Sequence, residues 1–96
     1  MTFTIGRHQD CDFYIADMTV SRMHARLVKE PGGWTLIDLG STNGTRINGW
    51  RVRGTGAPVR AGDQVRFGSA DFFVQGDEWD DGDPLGRAEG DPAPNG

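Results

Sequence analysis

Residues 34–52 read WTLIDLGSTNGTRINGWRV, and this stretch decides the fold class. Two β-prone runs, WTLIDL and RIN, flank the polar loop GSTNGT at residues 40–45. The dipeptide Asn48-Gly49 then predicts a type I′ hairpin turn, because both central residues of that turn take positive φ. The pattern indicates short strands joined by tight turns.

The same alternation of β-prone runs and turns continues on both sides of this stretch. Residues 24–29 (HARLVK) alternate apolar and polar side chains and would pair with residues 34–39 across the turn Pro31-Gly32-Gly33. We expect residues 54–58 to form a loop. Further short strands are predicted at TFTI (2–5), FYI (13–15), QVRFG (64–68) and DFFV (71–74), the last two joined across Ser69-Ala70. No window of helical length has the apolar spacing of an amphipathic helix, so the sequence predicts an all-β antiparallel sandwich.

The charge of the 96-residue chain is unevenly distributed. The net charge is −4, yet residues 77–96 hold seven acidic residues and one arginine, for a net −6. The other nine basic and seven acidic residues give residues 1–76 a net charge of +2. We therefore predict one folded domain over residues 1–75 and a disordered, acidic, Gly/Pro-rich tail over 76–96. A body this weakly basic, with no basic stripe interleaved with aromatic residues, argues against nucleic-acid binding.

Cysteine and histidine content limits the possible sites. Cys11 is the single cysteine and the chain has two histidines, which excludes an intrachain disulfide and a complete zinc site. No apolar run has the length of a signal peptide or a membrane span. The sequence therefore predicts a cytoplasmic protein that has no metal or other cofactor and no membrane partner.

Three polar clusters fall between the predicted strands. They are Gly6-Arg7, the run SRMH at residues 21–24 and the run STNGT at residues 41–45. Together they supply two guanidiniums, four hydroxyls, an amide and the N–H groups of a Gly-containing loop, without a carboxylate. This set of donors suits a bound phosphate.

In order and spacing these motifs resemble those of the forkhead-associated (FHA) domain, a module that binds phosphothreonine peptides. The resemblance runs from about Phe3 to Val74. It implies that Arg7 and Ser21 hold the phosphate, that Thr42 joins the same pocket, and that Arg22 contacts phosphate or peptide backbone. Asn43 would bind the main chain of the peptide on both sides of the phosphothreonine. The structural residues of the motif would be Gly6, His24, Gly44, Asn48 and Gly49, with His24 bracing the loop that carries Ser21.

The resemblance also implies partners and a departure from the family's fold. The ligand would be a Thr-phosphorylated peptide or protein made by a Ser/Thr protein kinase. FHA domains usually have two strands before the Gly-Arg motif, and this chain begins almost on that motif. We therefore expect those strands to be missing, an unfilled sheet edge near Phe72–Val74, and possible strand-edge dimerisation.

Two other classes of function remain open at this point. One is a phosphate-independent interaction scaffold that uses the sheet faces or Trp50. The other is a hydrolase with Ser21, His24 and Asp38 as a triad. The triad is disfavoured because Ser21 and His24 lie three residues apart across a loop-to-strand junction and no G-x-S-x-G elbow is present. We expect a binding module and not an enzyme.

Overall fold

Ten short strands form two sheets in residues 2–75 and 85–87, the part of the chain that the computed structural model describes. In chain order the strands are β1 Thr2–Gly6, β2 Phe13–Tyr14, β3 Ala25–Glu30, β4 Gly33–Asp38, β5 Thr45–Ile47, β6 Trp50–Arg51, β7 Ala57–Val59, β8 Gln64–Phe67, β9 Ala70–Val74 and β10 Leu85–Arg87. The first sheet has the order β2-β1-β3-β4-β7, and the second has the order β10-β9-β8-β5-β6. All neighbours are antiparallel except β1 and β2, which pair in parallel.

Strand alternation puts the apolar residues between the sheets. In β3, Ala25 and Leu27 are buried while Arg26 is exposed, as the sequence pattern predicts. Both sheets contribute to one apolar core, which includes Ile5, Leu27, Trp34, Leu36, Val65, Phe67, Phe72, Val74 and Leu85. Full burial of an aliphatic or aromatic side chain contributes about 1.5–3 kcal/mol. The predicted sandwich is confirmed, and this core fixes the strand ends from which the loops emerge.

Two hairpin turns show how glycine placement sets strand register. Asn48 and Gly49 have φ values of 50° and 87°, so the predicted I′-like turn between β5 and β6 is confirmed. Between β8 and β9 the turn lies at Gly68-Ser69, because Phe67 pairs with Ala70. The predicted position at Ser69-Ala70 is therefore wrong by one residue. Gly68 has φ 61°, a conformation that favours glycine.

The loop predicted over residues 54–58 contains the start of a strand. β7 pairs with β4 through Trp34, Thr35 and Leu36 at the edge of the first sheet. Pro58 obscures this strand in the sequence, because proline lacks a backbone N–H. An edge position tolerates that loss, since one side of the strand needs no donor.

The prediction of disorder over residues 76–96 needs correction at residues 85–87. These residues form β10, where Leu85 pairs with Val74 and Gly86 with Phe73. Leu85 is buried in the core, and a Cβ on Gly86 would lie 2.7 Å from the Phe73 ring, so Gly86 lets that ring pack closely. The sheet edge predicted to be unfilled at Phe72–Val74 is thus occupied, and dimerisation there would require β10 to leave. The rest of the predicted tail lies outside the described residues.

Candidate functional site

Three segments meet at one end of the sandwich, and we call them the loop cluster. They are Gly6-Arg7 at the end of β1, residues 17–24 before β3, and residues 39–44 between β4 and β5. The Arg7 N–H donates to the Ser21 carbonyl at 3.0 Å, and the Thr42 N–H donates to Ser21 Oγ at 3.0 Å. The structure thus brings the three sequence motifs together at their polar residues.

His24 connects two of these segments from inside the protein. Its side chain is fully buried. The Ser21 N–H donates to Nδ1 at 2.9 Å, and Nε2 lies 2.9 Å from the Gly44 carbonyl oxygen, to which it must donate. Burial is the main cause that lowers the pKa of His24, although the bond to Gly44 and the Asp38 carboxylate act in the opposite direction. A neutral ring with its proton on Nε2 satisfies both contacts.

Asp38 anchors the loop that carries Thr42 and Asn43. Its Oδ1 accepts from the hydroxyls of Ser41 at 2.5 Å and Thr45 at 2.6 Å, while its Oδ2 accepts from the N–H groups of Gly40 and Ser41. Burial would raise the pKa of Asp38, but these four hydrogen bonds outweigh it and the pKa is lowered. The Ser41 oxygen in turn accepts from the Gly44 N–H at 2.9 Å. The loop is therefore preorganised around an ionised carboxylate.

The Arg7 side chain is positioned by a hydrogen bond from one edge of its guanidinium. Its Nε donates to the Val20 carbonyl oxygen at 2.9 Å, and the side chain is half-buried. Across the described residues, the two terminal amino groups of the guanidinium have no hydrogen-bond or ion-pair partner. The protein thus orients the guanidinium fork and leaves its terminal donors available.

The hydroxyls of Ser21 and Thr42 are also available to donate hydrogen bonds. Ser21 Oγ accepts from the Thr42 N–H, and its own proton has no acceptor in the described part of the chain. The Thr42 side chain is exposed, and its hydroxyl likewise lacks a partner there. A hydroxyl that already accepts one hydrogen bond is well placed to donate to an anion.

Asn43 and Arg22 differ in how firmly they are positioned. The Asn43 amide donates through Nδ2 to the Thr19 carbonyl oxygen at 2.8 Å, so its side chain spans two segments of the cluster. The Arg22 side chain is exposed and makes no hydrogen bond or ion pair with described residues, although its carbonyl accepts from His8 N–H and Cys11 Sγ. The structure fixes the Arg22 backbone and leaves its side chain free.

Gly6 is required by a close backbone approach. A Cβ at this position would lie 2.1 Å from the Arg22 carbonyl oxygen and 3.0 Å from that of Ser21. Gly44 has φ 89° and lies against the Arg51 guanidinium. Asn48 and Gly49, by contrast, lie at the other end of β5 and take no part in the loop cluster.

The geometry excludes the serine-hydrolase alternative. Nδ1 of His24 accepts from the backbone N–H of Ser21 and not from its hydroxyl. The other ring nitrogen is bound to Gly44, and Asp38 is bound to Ser41 and Thr45. None of the contacts that activate a catalytic serine is made.

Sequence reasoning missed two supports of the loop cluster. The sequence suggests Asp38 only as a member of the triad, although its spacing to Ser41 is typical of a side chain that caps the following turn. Thr19 is the other: its hydroxyl donates to Asp17 at 2.6 Å and accepts from the Ser69 N–H at 2.8 Å. A Cβ on Gly68 would lie 2.3 Å from the Thr19 carbonyl oxygen, a long-range contact that no local pattern reveals.

Residues 2–75 and 85–87 contain no group of three or more His, Cys, Asp or Glu side chains that could hold a metal ion. The same residues form no helix that is long and apolar enough to cross a membrane.

Comparison with known proteins agrees with this geometry. The family model for the FHA domain matches residues 3–68. The glycogen accumulation regulator GarA of Mycolicibacterium smegmatis is 40% identical over 81 residues, which cover 83% of this chain and 50% of that protein. The chain spans about half the length of the curated relatives that it matches.

Two solved structures show the same architecture. The FHA-2 domain of a Mycobacterium tuberculosis ABC transporter superposes with a TM-score of 0.74 at 39% identity, covering 94% of this chain and 76% of that one. The N-terminal FHA domain of S. cerevisiae Rad53p, solved in complex with a phosphothreonine peptide, gives a TM-score of 0.61 at 31% identity and covers 68% of this chain and 54% of that one. The fold, the ordered motifs and the family match together establish that this chain belongs to the FHA domain family.

Proposed function

We propose that the chain is a phosphothreonine-dependent peptide-binding module that acts downstream of a Ser/Thr protein kinase. The observation that carries this proposal is the set of hydrogen-bond donors in the loop cluster that have no acceptor among the described residues. The terminal amino groups of Arg7 and the hydroxyls of Ser21 and Thr42 have no acceptor among the described residues, although hydrogen bonds hold the backbone around each of them. A rigid group of unpaired donors is the complement of a phosphate, which offers three acceptor oxygens and a charge near −2.

The phosphate contacts follow from these donors. Arg7 supplies the fixed positive charge, and its docked Nε aims the free edge of the fork away from Val20. Ser21 and Thr42 donate neutral hydrogen bonds to the remaining phosphate oxygens. Arg22, with its free side chain, adds charge at the margin and contacts phosphate or the peptide backbone.

Asn43 binds the main chain of the peptide. Its Oδ1 is without a partner in the described residues, and one hydrogen of Nδ2 remains after the bond to Thr19. An amide offers a donor and an acceptor together, so it can hold an extended backbone on both sides of the phosphothreonine. The N-terminal FHA domain of Rad53p, solved in complex with a phosphothreonine peptide, supports this class of ligand.

The module binds and does not catalyse. The name of GarA is that of a regulator, and the residues of the loop cluster are arranged to donate hydrogen bonds and not to activate a nucleophile. Because protein kinases draw on cytoplasmic ATP, we place the interaction in the cytoplasm.

The test is a calorimetric titration with three versions of one peptide, carrying phosphothreonine, phosphoserine or unmodified threonine. We expect the phosphothreonine peptide to bind most tightly and the unmodified peptide to bind at least about a hundredfold more weakly, because it lacks every charge-assisted bond. Equal affinity for all three peptides would overturn the proposal.

Arg7→Ala and Arg26→Ala form a matched pair for the same titration. Both substitutions remove one positive charge, but Arg26 lies on the exposed face of β3 and is not part of the loop cluster. We expect Arg7→Ala to weaken phosphothreonine binding at least about tenfold, the value of one charge-assisted hydrogen bond, and Arg26→Ala to leave it unchanged. Full binding by Arg7→Ala would place the phosphate elsewhere.

A further inference from the structure

Three arginines form a line across the outer face of the second sheet. Arg46 on β5 pairs directly with Arg51 on β6 and with Arg66 on β8. Directly paired residues of antiparallel strands project from the same face, and all three side chains are exposed. We call Arg51, Arg46 and Arg66 the arginine row.

The fold does not explain this row. Like charges placed directly opposite each other destabilise a sheet. Asp71 pairs across the ladder with Arg66 and lies 3.5 Å from its Nε, while Arg46 donates through Nη1 to the Gly49 carbonyl oxygen at 3.3 Å. Neither Arg46 nor Arg51 has a carboxylate partner in residues 2–75 or 85–87. The row therefore keeps a net charge of +2 after Asp71 is counted.

The row also begins beside the loop cluster. The Arg51 guanidinium carbon lies 3.3 Å from the position that a Cβ on Gly44 would take, next to Asn43. At the other end, Arg46 and Arg66 line a surface pocket of about 190 Å³ together with Gly49, Gln64 and Asp71. Positive charge thus continues from the margin of the peptide site onto the face of the sheet.

We propose that the arginine row binds an acidic segment of the same partner protein that carries the phosphothreonine. This inference rests on the proposed function and extends it to a second contact outside the phosphate site. Carboxylates are the fitting ligand, because the planar guanidinium fork matches them in a bidentate manner. A nucleic-acid backbone is less suited, since such binding relies on many more phosphate contacts than one short row provides.

The experiment compares two phosphothreonine peptides that share a core sequence. One carries a run of Glu residues beyond the core, and the other carries Gln at the same positions. We expect the Glu peptide to bind the full chain about five- to tenfold more tightly at low salt, with the advantage shrinking as salt is added. Equal affinities of the two peptides, with phosphate still required, would overturn the arginine row but leave the proposed function intact.

A pair of double variants assigns the effect to the row. Arg46→Gln with Arg66→Gln should remove the advantage of the Glu peptide without weakening the Gln peptide. Arg26→Gln with Arg60→Gln removes the same charge from exposed positions outside the row and should keep the advantage. If both double variants lose it equally, net charge and not the row is responsible, and the proposal fails.

The same test distinguishes two other ligands that the row could bind. The chain's own acidic residues at 77, 78, 80, 81 and 83 could compete, so these are changed to the corresponding amides. If the Glu peptide still binds more tightly than the Gln peptide after this change, the proposal is supported. If the Glu peptide binds more tightly only after the acidic residues are changed, the row is assigned to the chain's own segment. A DNA duplex is added as a competitor. If it displaces the Glu peptide from the unaltered chain but not from the Arg46→Gln with Arg66→Gln variant, the row is assigned to nucleic acid instead.

Discussion

Two Asn-Gly pairs lie five residues apart in this chain, and the structure uses them for different purposes. Asn48 has φ 50° and both ends of its amide are engaged: Oδ1 accepts from the Gln64 N–H at 2.9 Å and Nδ2 donates to Asp63 at 3.1 Å. Asn43 has no positive φ and donates only to Thr19, so its Oδ1 has no partner in the described part of the chain.

The same dipeptide therefore has two roles: Asn48-Gly49 forms a hairpin turn, whereas Asn43-Gly44 leaves the side-chain amide oxygen of Asn43 unpaired among the described residues. What decides the outcome is the carboxylate that organises the surrounding backbone. Asp63 binds Asn48 itself, whereas Asp38 binds the residues around Asn43 and leaves that side chain outside the network. Substitutions at the two pairs and at their carboxylates separate the two roles experimentally.

The largest effect is expected from removing the carboxylate beneath the loop cluster. Asp38→Ala should lower the free energy of unfolding by about 3 kcal/mol, because it strands the hydroxyls of Ser41 and Thr45 as well as backbone donors. Asp63→Ala should lower it by about 1 kcal/mol, since Asp63 accepts from two groups, Asn48 Nδ2 and the Arg60 N–H. Chemical denaturation of both variants measures this, and equal losses would contradict the different roles assigned to the two carboxylates.

Asn43→Ala should affect binding and not stability. It removes the donor and acceptor that we propose bind the peptide backbone, so we expect phosphothreonine-peptide affinity to fall between about tenfold and about a hundredfold. Its single bond to Thr19 is exposed, so the melting temperature should change little. Calorimetry and thermal unfolding on the same preparation test both statements, and a large fall in melting temperature with unchanged affinity would reverse the assignment.

Asn48→Ala should show the opposite behaviour. We expect it to destabilise the fold by about 1–2 kcal/mol, since alanine tolerates positive φ poorly and cannot replace the bonds to Gln64 and Asp63. Asn48→Gly should recover part of the loss, because glycine adopts positive φ freely. Both variants should bind the peptide as the unaltered chain does; weaker binding would show that the two turns are coupled.

The smallest effect concerns pH. Because burial lowers the pKa of His24 below its ordinary value of 6.5, the unfolded chain takes up the proton first as pH falls. The stability contributed by neutral His24 is therefore complete above pH 6.5 and declines below it. Unfolding measured between about pH 7 and about pH 5 should show this decline. Affinity is a poorer readout, because the phosphate itself titrates near pH 6.

The control for this prediction is the other histidine. His8 lies in a turn with its side chain 33% exposed, and His8→Gln should retain the decline. A decline that disappears in His8→Gln would contradict the assignment to His24.

Much of the fold was predictable because its determinants are local. The alternation in Ala25–Glu30, the turn at Asn48-Gly49 and the absence of helical spacing all follow from neighbouring residues. β7 and β10 were missed for opposite reasons. Pro58 makes β7 resemble a loop, while β10 lies in an acidic segment and is held by burial of Leu85 against distant strands.

The candidate site also has one part that could be predicted from the sequence and one part that could not. Arg7, Ser21, Thr42 and Asn43 could be selected from ordered motifs, and the structure brings them into one cluster. The support from Thr19 and Gly68 could not, because it arises where residues far apart in the chain meet. The arginine row is likewise a property of register, since Arg46 and Arg66 become neighbours only when β5 pairs with β8.

The most direct measurement is an NMR titration of the isotope-labelled chain with one peptide in phosphothreonine and unmodified forms. We predict that the phosphothreonine peptide shifts the backbone amides of Arg7, Ser21, Thr42 and Asn43 strongly, leaves those of Asn48 and Gly49 in place, and that the unmodified peptide shifts neither set. Equal shifts with both peptides, or shifts centred on Asn48 and Gly49, would contradict a phosphate site in the loop cluster.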